Sequence, residues 1–144
     1  MTIRQLLEQK GRTVYTIGPD ESVFEAIRRM AEKGIGALVV TEGETPVGIV
    51  TERDYARKVI LKGRSSKETP VREIMSSPVI FVRPEQTIEE AMGLMTEKKI
   101  RHLPVEEDGR LAGIISIGDV VKAIIENQKF TIEQLTSYIQ GASG

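Results

Sequence analysis

The chain has 144 residues, 40% of them hydrophobic, enough for one ordinary domain or two very small ones with a buried core, so disorder is excluded as the default. It contains no Cys and no Trp, and aromatics make up 4%, which excludes a disulfide framework, a thiolate metal site and a catalytic thiol, and leaves little surface for stacking single-stranded nucleic acid. Lys and Arg number 20 against 21 Asp and Glu, a formal net charge of -1, so no global field steers the chain to DNA or to an anionic membrane, and any anion binding has to be local. No apolar stretch approaches the roughly 20 residues of a membrane span. Arg4, Gln5, Glu8, Gln9 and Lys10 occupy the place where a signal peptide needs an apolar run, and the expected location is cytoplasmic.

In chain order, Thr2 to Lys10 reads as a helix with Ile3, Leu6 and Leu7 on one side, stopped by Gly11. Val14 to Ile17 is a β-like run that ends before Pro19. Ser22 with Glu25 starts a helix by reciprocal capping, Val23, Ala26, Ile27 and Met30 form its apolar face, and Gly34 ends it. Ile35 to Val40 and Val47 to Val50, separated by polar residues and Gly43, form a hairpin, and Thr51 opens a second helix carrying Tyr55, Val59 and Ile60. Lys62 to Pro78, rich in Gly, Ser, Lys and Pro, reads as a connecting segment with a short helical turn from Pro70 to Met75. The same order then recurs: strand at Val79 to Val82, helix from Thr87, hairpin of Ile100 to Val105 and Ala112 to Ile115 around Gly109, helix from Ser116 with Val120, Val121, Ile124 and Ile125. A last helix is expected over Thr131 to Gln140, with Gln134 completing its capping box.

A shift of 65 positions superposes Val14 to Ile60 on Val79 to Ile125 without a gap, with about 15 identities in roughly 47 pairs. Two copies cannot stack into a solenoid, so the duplication predicts two similar units packed face to face. The expected division is 1–68 and 69–144, each unit keeping its flanking helix. The flanking helices serve either to cover the repeats or a subunit contact, or as docking helices for a partner.

Both second helices begin with glycine, two β-branched residues, a hydroxyl residue, two variable residues and aspartate: Gly48 to Asp54 and Gly113 to Asp119. A helix start offers unpaired amides and the positive end of the dipole, and an aspartate one turn in can accept two hydrogen bonds from adjacent hydroxyls such as a ribose diol. Thr51 with Asp54 and Ser116 with Asp119 also form ordinary capping pairs that need no ligand. The first helices use Glu25 and Glu90 at the corresponding position, whereas both second helices use the shorter Asp, which leaves room for another molecule.

The repeated Gly to Asp motif, the run Arg101, His102, Leu103, Pro104, Val105, and the Pro, Ser/Thr, Ala and Met positions of both first helices resemble a tandem pair of CBS domains, the Bateman module, over nearly the whole chain. The first repeat departs from that pattern, with Gly36 to Val39 in place of Arg101 to Pro104. The resemblance implies an α/β (α+β) fold of two β-α-β-β-α units related by a pseudo-twofold axis, with a cleft that binds adenine nucleotides and a tendency to form flat homodimers. It implies one site at Asp54 and Thr51, with Tyr15, Ile35, Gly36 and Ala37 around the base, Arg53 near a phosphate, and Arg101 and His102 reaching over from the other unit. It implies a second at Asp119 and Ser116, with Ile80, Ile100 and Arg101 near the base. The function so implied is regulatory and non-catalytic: energy or redox sensing through AMP first, or ADP, ATP or NAD(H), with no metal required and an effector protein as the downstream partner.

Other signals are weaker. His102, the only histidine, has no neighbours with metal-ligand spacing and no nucleophile to activate. Gly34 and Gly36 lack the third glycine and the strand-to-helix order of a dinucleotide fingerprint. The basic cluster Arg53, Arg57, Lys58, Lys62, Arg64 and Lys67 is a solvated face, a contact for a long phosphate tail, or a nucleic-acid contact, the last disfavoured by near-neutral charge and scarce aromatics. Two alternatives stand beside the nucleotide sensor: a structural or protein-interaction module whose aspartates only cap helices, and a nucleic-acid binder using the 53–67 cluster.

Overall fold

The computed structural model describes residues 1–143, and its chain divides into two units, Thr13–Ile80 and Met1–Arg12 joined by the chain from Phe81 onward. In the Thr13–Ile80 unit, β1 (Thr16–Ile17) pairs parallel with β2 (Ala37–Glu42), which pairs antiparallel with β3 (Thr45–Thr51) in a three-stranded sheet. Helix α2 (Val23–Lys33) is started by the Ser22 side chain and ended by Gly34 at φ 65°, a left-handed conformation that glycine adopts at little cost. Its Val23, Ala26 and Met30 bury against Leu38, Val40 and Val50 of the sheet, forming a core with Ile17, Val59, Val71 and Ile74. Helix α3 (Glu52–Tyr55) passes directly into a wider π-turn over Ala56–Ile60, which turns Val59 inward and leaves Ile60 exposed.

The other unit repeats this plan. Helix α4 (Ile88–Lys98) is capped by Thr87 and ends at Lys99, left-handed at φ 56° without being glycine. Strands β4 (His102–Glu107) and β5 (Arg110–Ser116) form the hairpin, whose turn holds Asp108 and Gly109 at positive φ. The expected strand over Val79 to Val82 is reduced to a single parallel bridge from Val82 to Val105, and the one over Val14 to Ile17 to its last two residues. Ser116 leads into α5, which runs without a break over Ile117–Ser143. The separate helix expected from Thr131 does not exist, because the Thr131 hydroxyl donates to the Asn127 carbonyl one turn back at 3.0 Å rather than capping a new start.

The units also divide differently from the expected 1–68 and 69–144. Helix α1 (Ile3–Lys10) buries Ile3, Leu6 and Leu7 in the second repeat, and the segment 69–76 packs on the first. The backbone bonds show that these two lead-in segments are equivalent. The Ile3 and Arg4 amides donate to Gln86 and Pro84, and those of Val71 and Arg72 donate to Glu21 and Pro19, the same acceptors 65 residues earlier. The bridges Thr2 to Thr87 and Pro70 to Ser22 match likewise, and Arg4 pairs with Glu85 as Arg72 pairs with Asp20. Each lead-in closes on a glycine of the hairpin: a Cβ at Gly113 would stand 2.8 Å from Leu7 Cδ2, and one at Gly48 2.6 Å from Met75 Sδ. Thus each repeat is completed by the lead-in of the other.

Candidate functional site

The two Gly to Asp motifs sit where β3 and β5 end and a helix begins, and both helix starts are capped in the same way. The Asp54 amide donates to Thr51 Oγ at 3.1 Å, while Asp54 Oδ2 accepts from the Thr51 amide and hydroxyl, each at 3.0 Å. The Asp119 amide donates to Ser116 Oγ at 3.1 Å, and Asp119 Oδ2 accepts from the Ser116 amide at 2.8 Å. The first amide of each helix is taken as well, Glu52 donating to the Gly36 carbonyl at 3.1 Å and Ile117 to the Arg101 carbonyl at 2.8 Å. Each aspartate is therefore fixed in position by its own helix start.

Each carboxylate also meets an ammonium, supplied from a different place in each repeat. Lys58, one turn after Asp54, lies 3.1 Å from Asp54 Oδ1 and donates to the Ile74 carbonyl at 2.9 Å. The corresponding residue of the second repeat is Ala123, and there Lys10 of α1 takes over, 2.6 Å from Asp119 Oδ2 and donating to the Ile114 carbonyl at 2.5 Å. The Asp54 side chain is 14% exposed and that of Asp119 27%, so neither is sealed from solvent. Burial pushes the Asp119 carboxyl up, but the hydrogen bonds and charge of Lys10 together with the Ser116 contacts outweigh it and hold the group below the usual carboxylate range. A groove of about 400 Å³ adjoins Asp119, bounded by Gln9 and Lys10 of α1 and by Lys122 and Glu126 of α5.

Gly36 and Ala37 adjoin the first motif, Tyr15 and Ile35 lie elsewhere in the same unit, and Arg101 and His102, also expected here, belong to the other unit. Ala37 pairs with Thr51 across the hairpin, the Tyr15 carbonyl accepts from Val39, and Ile35 packs half-buried on the core. Tyr15 is 39% exposed, with Lys33 Nζ 5.2 Å from its ring centroid, and Arg53 is half-exposed beside Asp54. At the second motif, His102 pairs with Ser116, Arg101 is exposed beside it, and the Ile100 amide is tied to Met95. Ile80, expected here, is the last residue of the Thr13–Ile80 unit, half-buried and outside any strand. Burial lowers the His102 pKa, Lys10 and Arg101 lower it further, and Asp119 opposes them, so His102 is neutral near pH 7.

Lys10 and Lys58 are the site residues that sequence reasoning missed. Lys58 stood in the basic cluster, although its i,i+4 spacing from Asp54 was a readable signal. Nothing in the local sequence connects Lys10 with Asp119. The cluster itself is divided among separate contacts: Lys58 on Asp54, Arg64 on Glu73, and Lys67 over the Phe24 ring at 5.2 Å. Among the described residues no group of three or more His, Cys, Asp or Glu is placed to hold a metal, and no helix is long and apolar enough to cross a membrane.

Two β-α-β-β-α repeats with a capped aspartate at each second helix define a tandem arrangement of small α+β domains, and known proteins share it. The sequence pattern of the CBS domain matches residues 11–61 and 71–126. The CBS domain-containing protein CBSX3 of Arabidopsis thaliana, mitochondrial by its name, is 41% identical over 149 residues, covering 97% of this chain and 72% of the relative. YhcV of Bacillus subtilis, also a CBS domain-containing protein, is 33% identical, covering 80% and 81%. A CBS-domain structure from Burkholderia ambifaria superposes with a TM-score of 0.85 at 54% identity over 89% of this chain and 96% of its own. The hexameric CBS-CP12 protein of bloom-forming cyanobacteria gives 0.77 at 29% identity over 100% and 90%. The chain belongs to the CBS-domain family, as a pair of CBS domains forming a regulatory or signalling module.

Proposed function

We propose that this CBS pair is a non-catalytic sensor that binds an adenine nucleotide, AMP first and ATP or NAD(H) next, at Asp54 with Thr51 and at Asp119 with Ser116. The observation that carries the reading is the state of the two carboxylates. Each is held rigidly by its cap, yet a carboxylate offers about four acceptor positions, and the described contacts of Asp119 all fall on Oδ2. A ribose diol donating to the free positions meets a preorganised acceptor, and hydrogen bonds to a charged group contribute about 1.5–3 kcal/mol each. Lys10 and Lys122 at the groove beside Asp119, and Lys58 and Arg53 beside Asp54, supply positive charge for phosphate.

The signal is differential. A nucleotide that engages Asp119 alters the Lys10 contact and with it the seating of α1, and it shifts the module only by as much as it prefers one arrangement over the other. The output passes to an effector protein, with the module itself a homo-oligomer in the cytoplasm. The closed caps favour one second reading, in which the aspartates only start helices and the module is an interaction scaffold. A thermal-shift panel of adenine and guanine nucleotides, dinucleotides and S-adenosylmethionine separates the two. A ligand at about 100 times its Kd adds about 2.7 kcal/mol and raises Tm by several degrees. A rise with adenine nucleotides supports the sensor, and a flat response across the panel leaves the scaffold.

A further inference from the structure

Helix α5 leaves the body of its unit carrying an aliphatic seam that is exposed among the described residues. Val120 and Ala123 are buried in the core, whereas every residue from Gln128 to Gln140 is exposed. A helical end of about 13 residues is marginal in water without packing, and this one is not polar. Val121 is 39% exposed, Ile125 47%, Ile132 62%, Leu135 58% and Ile139 62%. With Gln128 these positions advance by alternating steps of four and three, a period of 3.5 that lays them in one stripe and belongs to supercoiled helices rather than to a helix packed on a globular core.

The geometry points to a two-stranded parallel coiled coil between the α5 helices of two copies of this chain. Ile125, Ile132 and Ile139 take the a positions, and Val121, Gln128 and Leu135 take the d positions. β-Branched residues at a with leucine at d favour two strands, isoleucine at both favours more, and one polar residue on the seam fixes register. The d positions here hold no isoleucine, and Gln128 is the single polar residue. The exposed fractions along the seam amount to roughly 500 Å² per chain, or about 1,000 Å² for two, the size at which a contact becomes specific. Phe130, 61% exposed, lies on the opposite side of the helix and takes no part. This pairing is independent of any nucleotide.

The chain has no cysteine, so a single introduced thiol reports the pairing directly. In the full chain, Leu135→Cys brings two d positions within the roughly 7 Å Cα separation that a disulfide spans, and mild oxidation should give a covalent dimer. Phe130→Cys, equally accessible, should remain uncrosslinked, and Ile132→Lys added to Leu135→Cys should slow crosslinking at least tenfold. Gln128→Leu should shift the monomer–dimer midpoint in sedimentation to lower concentration by about tenfold. All these side chains are exposed, and circular dichroism at matched concentration verifies that the fold persists. Equal crosslinking at positions 130 and 135, or none at 135, overturns the proposal, the latter outcome assigning the seam to an antiparallel contact or to another protein.

Discussion

Replacing Gly113 by alanine puts a methyl group 2.8 Å from Leu7 Cδ2 and 3.2 Å from Cδ1. Carbon atoms rest about 3.5–4.0 Å apart, so the overlap approaches 1 Å, but the atoms met are the ends of a flexible side chain. Overpacking of this kind costs about 1–2 kcal/mol, at the lower end of its usual range. Leu7→Ala alone empties a site that is 0% exposed and should cost about 2–5 kcal/mol. In the double variant the new methyl enters the vacated space, so the combined loss should fall short of the sum by about 1–2 kcal/mol. Urea melts of the four proteins measure the coupling, and Tm, moving about 2–4 °C per kcal/mol for a chain of this size, checks it. Additive losses would refute the docking of α1 on the second repeat. The matched change in the first repeat, Gly48→Ala, should be harsher. Its Cβ meets the Ser76 backbone oxygen at 3.0 Å as well as Met75 Sδ at 2.6 Å, so Met75→Ala should relieve it only in part.

Thr51→Ala and Ser116→Ala each remove the hydroxyl that accepts the aspartate amide, and each should lower stability by about 1 kcal/mol in chemical denaturation. His102 is held below its ordinary value near 6.5, so its neutral form contributes stability that is complete above that value and is lost as pH falls through it toward the folded pKa. Tm should therefore drop between about pH 7.5 and pH 5.5, and His102→Asn should reduce the drop. Lys10→Met removes a charge that depresses the same group, so the NMR titration midpoint of His102 should rise, and a midpoint that stays put or falls contradicts the placement of Lys10.

Much of this arrangement was legible because it is local. The capping hydroxyls Ser22, Thr51, Thr87 and Ser116, the glycines at 34, 43 and 109, and the helical spacing of Val23, Ala26 and Met30 act within a turn or two of chain. The equivalence of the two lead-in segments was not legible. They are offset by 68 residues where the repeats are offset by 65, Arg4 and Arg72 are the single identity between residues 2–10 and 70–78, and one forms two turns of α-helix where the other forms a short 3₁₀ turn over Val71–Glu73. Their partnership depends on long-range backbone bonds to Pro19 and Pro84 that no local period records. The Thr131 to Gln134 spacing misled for a physical reason, since a threonine hydroxyl can bond backward to a carbonyl as readily as it caps a new helix. The Lys10 contact with Asp119 was hidden because Lys58 serves that role in the first repeat from its own helix, and Ala123 gives no sign of a replacement.

Titrating adenine nucleotides into the unaltered chain and into the Asp54→Glu, Asp119→Glu double variant by calorimetry tests the sensor assignment most directly. Glutamate is the usual partner in a capping box, so the helix starts and Tm should survive. Its carboxylate lies one methylene further out, and nucleotide affinity should fall at least tenfold, about 1.4 kcal/mol. Nucleotide binding undiminished in the double variant would contradict the assignment of Asp54 and Asp119 to the ribose.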